Sequence, residues 1–184
     1  MKKPGMIRII GGTLKRSKLP VLDKPGLRPT PDRVRETVFN WIAPRLPGAQ
    51  VLDCFAGTGA FGFEALSRGA AYVTFIEHER ETAAAIRSAI DRFGCGERAT
   101  VIITSVENVL SQHVPNADVI FADPPFNQGL SQAFCTWIQG QLQPDSLLIL
   151  EAERDTTLDF TGFEVLKFLH AGADSMYVLA QDGP

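Results

Sequence analysis

From residue 49 onward, short apolar runs that are typical of strands alternate with longer segments whose apolar residues recur at helical spacing. Such alternation favours an α/β fold, with a mostly parallel sheet that helices cover on both faces. We predict five parallel strands, over residues 50–54, 72–77, 100–104, 118–122 and 146–151. The predicted helices between them run to residue 68, from 80 to 93, to about residue 113, and from 130 to 140. Two further apolar runs, 163–169 and 175–180, predict an antiparallel hairpin that completes a seven-stranded sheet.

A glycine-rich stretch joins the first of these strands to the first helix. Its residues Gly57, Gly59 and Gly62 satisfy the pattern GxGxxG, in which glycine permits a tight turn and a close approach of a ligand to the backbone. Glu77 ends the second predicted strand, about 20 residues further on, where a carboxylate accepts hydrogen bonds from ribose hydroxyls. The stretch therefore predicts a cofactor that contains a nucleoside.

The residues before the glycines indicate which cofactor this is. Asp53 precedes Gly57 by four positions, and a carboxylate there repels the pyrophosphate that dinucleotide enzymes hold at a helix N-terminus. The same carboxylate suits a zwitterionic amino acid with a sulfonium nearby, which favours S-adenosylmethionine over NAD. The stretch, with Phe55 inside it, resembles motif I of class I methyltransferases. In that class the residues after the third strand contact the adenine, which implies Ser105 and Val106 here, although Ser105 departs from the usual acidic residue or Asn.

The tetrapeptide Asp123-Pro124-Pro125-Phe126 directly follows the fourth predicted strand. Two prolines end a strand and stiffen the backbone. The Asp123 carboxylate and the Pro124 carbonyl can accept the two N–H bonds of an exocyclic amino group, while the Phe126 ring stacks on the base that carries it. The tetrapeptide resembles the Asp/Asn-Pro-Pro-Tyr/Phe motif of S-adenosylmethionine-dependent amino-methyltransferases that act on nucleic acids.

The segment before the alternating units is basic. Residues 1–45 carry a net charge of +8, against −11 for the remainder, and a basic arm on an acidic body suggests a polyanionic partner. We predict a domain boundary near residues 44–48, with an N-terminal extension over 1–47 and the core over 48–184. The extension is expected to hold a hairpin with a turn at Gly11 and Gly12. A helix follows, with Thr30 as its cap and Pro31 at its first position.

Five segments in this order carry a more specific resemblance. They are Arg8-Ile9-Ile10-Gly11-Gly12, the stretch from Leu27 to Trp41, Leu52 to Gly59, Glu64 to Arg68, and Asp123 to Phe126. Together they resemble the bacterial 16S rRNA (guanine(966)-N(2))-methyltransferase family over about residues 7–180. The Arg-Pro-Thr…Arg-x-Arg-Glu-Thr stretch is much more specific than the cofactor loop, and the C-terminal hairpin matches least well.

The resemblance implies a Rossmann-like class I methyltransferase with a small N-terminal extension. Its implied reaction is transfer of a methyl group from S-adenosylmethionine to N2 of a guanine in 16S rRNA of the small ribosomal subunit or an assembly intermediate. We expect the catalytic segment Asp123, Pro124, Pro125 and Phe126 to hold the base. The cations expected to bind RNA phosphates are Lys15, Arg16, Lys18, Arg28, Arg33 and Arg35, although salt bridges within the protein are the alternative for Arg33 and Arg35.

Other activities remain open from the residues alone. A DNA or RNA adenine-N6 methyltransferase needs the same two acceptors, although about 45 residues outside the core leave a sequence-reading domain little room. An NAD(P)-dependent oxidoreductase also uses GxGxxG with an acidic residue, although Asp53 and the Asp-Pro-Pro-Phe segment argue against it. A non-catalytic RNA-binding module would not need both sites.

The remaining features predict an ordinary cytoplasmic protein. The three cysteines and three histidines are scattered without metal-ligand spacing, so we expect no metal site and reduced thiols. No apolar run approaches the roughly 18 residues that a membrane helix needs. We expect the protein to act as a monomer, away from membranes.

Overall fold

The computed structural model describes residues 5–22, 30–112, 116–126 and 128–182. The strands in these ranges are β1 (Met6–Arg8), β2 (Lys18–Pro20), β3 (Gln50–Cys54), β4 (Tyr72–Glu77), β5 (Ala99–Ile103), β6 (Val119–Ala122), β7 (Leu147–Glu153), β8 (Phe163–Ala171) and β9 (Asp174–Gln181). The helices are α1 (Asp32–Trp41), α2 (Ala60–Ser67), α3 (Arg80–Phe93), α4 (Val106–Gln112) and α5 (Leu130–Ile138). The predicted helix end near residue 113 lies outside the described residues.

Seven strands form one sheet in the order β5-β4-β3-β6-β7-β9-β8. Strands β3 to β7 pair in parallel, whereas β9 is antiparallel to both of its neighbours. This arrangement confirms the predicted seven-stranded, mostly parallel sheet with a C-terminal antiparallel hairpin. The chain reverses direction across the sheet between β3 and β6, which is where α/β sheets of this kind bind their ligands.

Helices cover both faces of the sheet. One apolar cluster joins α1, α2 and α3 to side chains such as Val51, Phe75 and Phe121, and the other joins α4 and α5 to Leu52, Ile120 and others. All four residues of β6 are buried, as expected for a central strand packed on both sides. The burial explains why its sequence is a continuous apolar run rather than an alternating one.

The N-terminal extension shares its core with the rest of the chain. Ile7, Ile9 and Val38 belong to the same buried cluster as the strands of the sheet. The ring of Phe39 on α1 lies 5.3 Å from that of Phe121 on β6, measured between centroids. The division of the chain at residues 47 and 48 therefore stays a prediction. Residues from both sides of it belong to one shared apolar core.

Glu64 on α2 anchors the extension. Its side chain is completely buried and accepts hydrogen bonds from the backbone N–H groups of Ile10 (2.7 Å) and Gly11 (2.8 Å). Arg68, one turn later, donates to the same carboxylate at 2.7 Å. Glu64, on the helix after the cofactor loop, therefore satisfies two backbone N–H groups of the extension, those of Ile10 and Gly11.

Two predictions for the extension are wrong in detail. The predicted hairpin exists, but β1 and β2 are only three residues each. Gly11 and Gly12 lie against α2, and the turn is displaced to residues 12–15, where the Lys15 N–H donates to the Gly12 carbonyl at 3.3 Å. Thr30 does not cap α1, whose N-cap is Pro31 without a side-chain hydrogen bond. The Thr30 hydroxyl instead donates to Oε2 of Glu151 on β7, at 2.5 Å.

Candidate active site

The cofactor loop begins at Asp53, near the carboxyl end of β3. Its side chain is 3% exposed, and its Oδ2 accepts a hydrogen bond of 2.9 Å from the N–H of Gly62 in the first turn of α2. Burial raises the pKa of Asp53 to about 8; the Gly62 hydrogen bond opposes the rise and the charge of Glu77 adds to it. The carboxylate is thus held at the start of the helix that the loop introduces.

Glu77 lies beside the loop at the carboxyl end of β4. Its Oε2 accepts from the Gly57 N–H and its Oε1 from the Glu79 N–H, both at 2.9 Å. These two bonds orient the carboxylate. The glycine loop and Glu77, which we predicted to serve one cofactor site, are therefore in direct contact.

Glycine is required here by conformation and by packing. Gly57 and Gly59 have φ angles of 54° and 76°, in the left-handed region that disfavours side chains. A Cβ on Gly62 would lie 2.2 Å from a ring carbon of Phe75 on β4, so only glycine lets α2 pack this closely on the sheet. Phe55, which we also predicted in the loop, has a φ of 59°.

The chemistry of the loop fits S-adenosylmethionine better than a dinucleotide. A pyrophosphate needs free N–H groups at the helix N-terminus, whereas the N–H groups of Gly57 and Gly62 are already bonded to Glu77 and Asp53. Two acidic side chains at neighbouring strand ends suit ribose hydroxyls and a cationic sulfonium, and a cation nearby would favour the charged form of Asp53. The donor set is therefore compatible with the predicted cofactor.

Ser105 and Val106, the residues predicted to contact adenine, lie where β5 leads into α4. The Ser105 hydroxyl accepts a hydrogen bond of 3.3 Å from the N–H of Asn108, so it caps α4. Val106 is 4% exposed and packs in the α4–α5 cluster. Their contact with adenine stays a prediction.

The Asp123-Pro124-Pro125-Phe126 segment begins immediately after β6, as predicted. Pro124 is buried, Pro125 is exposed, and Asp123 and Phe126 are partly exposed. Phe126 thus keeps part of its ring available. The segment lies next to the cofactor loop because β6 pairs with β3, and Ala122 is paired with Cys54.

A row of acidic side chains crosses this edge of the sheet. Asp53, Asp123, Glu151 and Asp174 come from β3, the end of β6, β7 and β9, which are neighbours in that order. Loss of water around Asp123 raises its pKa well above the ordinary value, and the charges of Glu151, Asp53 and Asp174 raise it further. The row places Asp123 among like charges.

Sequence reasoning missed two members of this row, Glu151 and Asp174, and the contact of Glu151 with the extension. Glu151 is 2% exposed and receives the hydroxyl hydrogen of Thr30, and Asp174 is 5% exposed with an Oδ1 that has no hydrogen-bond partner. Glu151 ends the predicted strand 146–151, so the rule that ligands bind at carboxyl ends of parallel strands could have identified it. Asp174 lies in an antiparallel strand, where that rule gives no signal.

The basic residues of the extension separate into different environments. Lys15, Arg16, Lys18 and Arg33 are exposed, whereas Arg28 lies outside the described residues. Sequence reasoning also left out Arg8, an exposed guanidinium that lies 3.2 Å from Asp32.

The prediction that Arg35 binds RNA is wrong. Its side chain is 1% exposed, and its Nη2 donates to the backbone carbonyl of Arg8 (2.9 Å) and to Asp32 (2.7 Å). Its Nη1 lies 3.9 Å from Glu64. A guanidinium enclosed by α1, α2 and the extension has no surface to offer a phosphate, so the alternative of salt bridges within the protein applies.

A metal site and a membrane span are two features that the described residues do not provide. Among these residues, no group of three His, Cys, Asp or Glu side chains is placed to hold a metal ion. No helix in the described ranges is both long and apolar enough to cross a membrane.

Residues 7–179 match the model of a protein family described as Conserved hypothetical protein 95. The chain is 44% identical over 165 residues to ribosomal RNA small subunit methyltransferase D of Escherichia coli K12, covering 86% of this chain and 83% of that protein. It is 31% identical over 160 residues to "Putative rRNA methyltransferase YlbH" of Bacillus subtilis, covering 84% and 87% of the two chains.

Solved structures agree in fold. "Putative methyltransferase yhhF" from Escherichia coli superposes with a TM-score of 0.86 at 36% identity, covering 97% of this chain and 99% of that one. The "putative methylase HI0767" from Haemophilus influenzae gives a TM-score of 0.82 at 36% identity, covering 95% of this chain and 98% of that one. The predicted methyltransferase variant of the Rossmann sheet is thereby confirmed.

Proposed function

The chain belongs to the Conserved hypothetical protein 95 family, alongside the ribosomal RNA small subunit methyltransferase D proteins, and on this premise we propose that it methylates small-subunit ribosomal RNA with S-adenosylmethionine. The finer part of the proposal is the target, N2 of one guanine in 16S rRNA, as the sequence resemblance implies. The main support for the proposal is the position of the Asp123-Pro124-Pro125-Phe126 segment beside the cofactor loop, which Asp53 and Glu77 hold through hydrogen bonds.

The residues of the chain have separate roles in this proposal. Asp53, Glu77 and the loop from Phe55 to Gly62 hold the cofactor, with Ser105 and Val106 near its adenine. When bound, S-adenosylmethionine supplies an electrophilic methyl group on a positively charged sulfur. The N–H groups already bonded to Glu77 and Asp53 support this cofactor over NAD(P) and so weaken the oxidoreductase alternative.

Positioning is the main task of the base-binding segment. The lone pair of a guanine amino nitrogen is delocalised into the ring, so the nitrogen must be held in line with the methyl group, an effect worth roughly 7–11 kcal/mol. Asp123 and the Pro124 carbonyl accept the two amino hydrogens, while the rigid Pro125 keeps the segment extended. Phe126 stacks on the extruded base, which contributes about 1–3 kcal/mol.

The exposed cations of the extension hold the RNA backbone. Lys15, Arg16, Lys18 and Arg33 are available at the surface for phosphates, and Arg28 remains part of the proposed set. Such contacts supply salt-dependent affinity without reading sequence. We further propose that the protein acts as a monomer in the cytoplasm, without a metal ion.

The test uses S-adenosylmethionine labelled on its methyl group. The purified protein is offered undermethylated small ribosomal subunits, naked 16S rRNA and DNA, and the products are digested to nucleosides and separated. Label in N2-methylguanosine at one position of 16S rRNA is the expected result. Label in N6-methyladenine would retain the catalytic site and overturn the substrate. Failure to bind S-adenosylmethionine in a titration would overturn the whole proposal.

A further inference from the structure

Glu151 and Asp123 lie side by side at the edge of the sheet where the substrate is proposed to bind. The parallel pairing of β6 with β7 ends with Ala122 opposite Leu150. Asp123 directly follows β6, Glu151 follows Leu150 within β7, and the charge of Glu151 acts on Asp123. Leu150 and Ala122 belong to the α4–α5 cluster, so the alternation of side chains directs Asp123 and Glu151 to the opposite face. That face also carries Asp53, which bonds to α2.

The extension fixes the position of the Glu151 carboxyl. The Thr30 hydroxyl donates to its Oε2 at 2.5 Å, and the Glu151 side chain is 2% exposed. Water therefore screens its effect on a neighbouring group only weakly. The charge of Glu151 opposes ionisation of the Asp123 carboxyl.

We propose that Thr30 and Glu151 are positioning residues that make Asp123 the base that accepts the proton released by methyl transfer. This inference rests on the proposed function. In the reaction the amino nitrogen gains a bond to the methyl carbon, and the sulfur keeps the electron pair of the broken carbon–sulfur bond. The nitrogen loses one proton, which passes to a carboxylate oxygen of Asp123.

The charged neighbours of Asp123 agree with this role. The described groups that act on it are Glu151 on β7, Asp53 on β3 and Asp174 on β9, and all three are acidic. Asp53 adds its charge only as the pH approaches its own pKa of about 8. Repulsion by these groups and the loss of water both favour the protonated form of Asp123. A base works best when its pKa is near the working pH, and an ordinary aspartate is too weak a base for that.

The test is the pH dependence of single-turnover methyl transfer from pH 5.5 to 8.5, with saturating S-adenosylmethionine and ribosomal substrate. For the wild-type protein the rate should rise with pH as Asp123 loses its proton and then level off. Glu151→Gln removes the neighbouring charge and should move this rise down by about one pH unit. Thr30→Val removes the hydrogen bond that fixes the Glu151 carboxyl beside Asp123 and should move the rise in the same direction by less.

Matched controls separate this role from a structural one. Thr37→Val removes a hydroxyl on the exposed side of α1, and Glu164→Gln removes an exposed charge on β8; both should keep the wild-type profile. Asp123→Asn should lose the pH-dependent rise. Variants at Thr30 and Glu151 that lower the rate equally at every pH would overturn the inference.

Titration of carboxyl ¹³C signals by NMR gives a readout that needs no substrate. The Asp123 signal, assigned from Asp123→Asn, should titrate at lower pH in Glu151→Gln than in the wild-type protein. An unchanged titration would overturn the inference even if methyl transfer is normal. Absence of transfer to any RNA by the wild-type protein would instead refute the proposed function, while the NMR result still decides whether the two carboxyls are coupled.

Discussion

At the scale of single residues, Asp123 has the most direct role in the proposed reaction. Its replacement by Ala should lower the rate of methyl transfer by about 10²-fold or more, because an acceptor of the amino hydrogens and the proposed base are lost together. The affinity for S-adenosylmethionine should stay within about twofold, since Asp53 and Glu77 are unchanged. Isothermal titration and a single-turnover assay measure the two effects. Near-normal turnover would contradict the assigned role, and the exposed Asp155→Ala provides the control.

Asp53 should make stability depend on pH. Its pKa is raised from 3.8 to about 8 in the folded protein, so between these values the folded state binds more protons than the unfolded state. Stability therefore falls as pH rises through this range. Asp53→Asn can still accept the Gly62 hydrogen bond but does not titrate. Between pH 5 and pH 8 the free energy of unfolding of this variant should fall by about 3–4 kcal/mol less than that of the wild-type protein. Urea unfolding at the two pH values measures this, and equal slopes in both proteins would contradict it.

At the scale of elements, the docking of the extension depends on close approach to α2. Gly12 has a φ of 73°, and a Cβ there would lie 1.8 Å from the carbonyl oxygen of Ser67. The Thr13 N–H donates to that same oxygen at 2.8 Å, and the Leu14 N–H donates to the Ser67 hydroxyl at 2.8 Å. The Gly-Gly segment is thus required by a specific contact between the extension and the core.

Gly12→Ala should therefore destabilise the protein far more than a comparable change elsewhere. The control is Gly48→Ala, since Gly48 has a φ of 76° but a Cβ added there would meet no atom within 4 Å. Gly48→Ala should cost about 1 kcal/mol from backbone strain alone, and Gly12→Ala about 3 kcal/mol because backbone must also move. Equal free energies of unfolding for the two variants would show that the extension docks without this contact.

Some elements of the core could be predicted to the residue and others could not. The strands at 50–54 and 72–77 and the helix at 80–93 have the predicted bounds. The second strand ends at the polar Glu77, and the helix is followed by Gly94, so their ends are marked in the sequence. The extension was predicted less well. Its short strands and the contact of Thr30 with β7 depend on α2 and on the sheet, which are distant in sequence.

At the scale of the whole molecule, exposure decides which cations are available to RNA. Charge reversal of Lys15 and Arg16 should weaken binding to 16S rRNA. It should also lower the slope of log affinity against log salt concentration by about 1–2, at roughly 0.7–0.9 for each phosphate that is no longer neutralised. Filter binding at several salt concentrations measures the slope. Arg45→Glu is the control, because Arg45 is exposed but bonded to the carbonyl of Asp145. An unchanged slope would remove these residues from the proposed RNA surface.

Short-range patterns in the sequence were enough to predict three features. These are the alternating strands and helices, the glycine loop with Glu77, and the position of residues 123–126 at the end of a strand. These features follow from hydrophobic period, backbone permissiveness and proline, which act between near neighbours. Tertiary structure alone decided that Arg35 is buried while Lys15 and Arg16 are exposed, and that Glu151 lies beside Asp123 with Thr30 bonded to it. The physical reason is that burial and the neighbours of a charge depend on strand order and helix packing, which join residues far apart in the sequence.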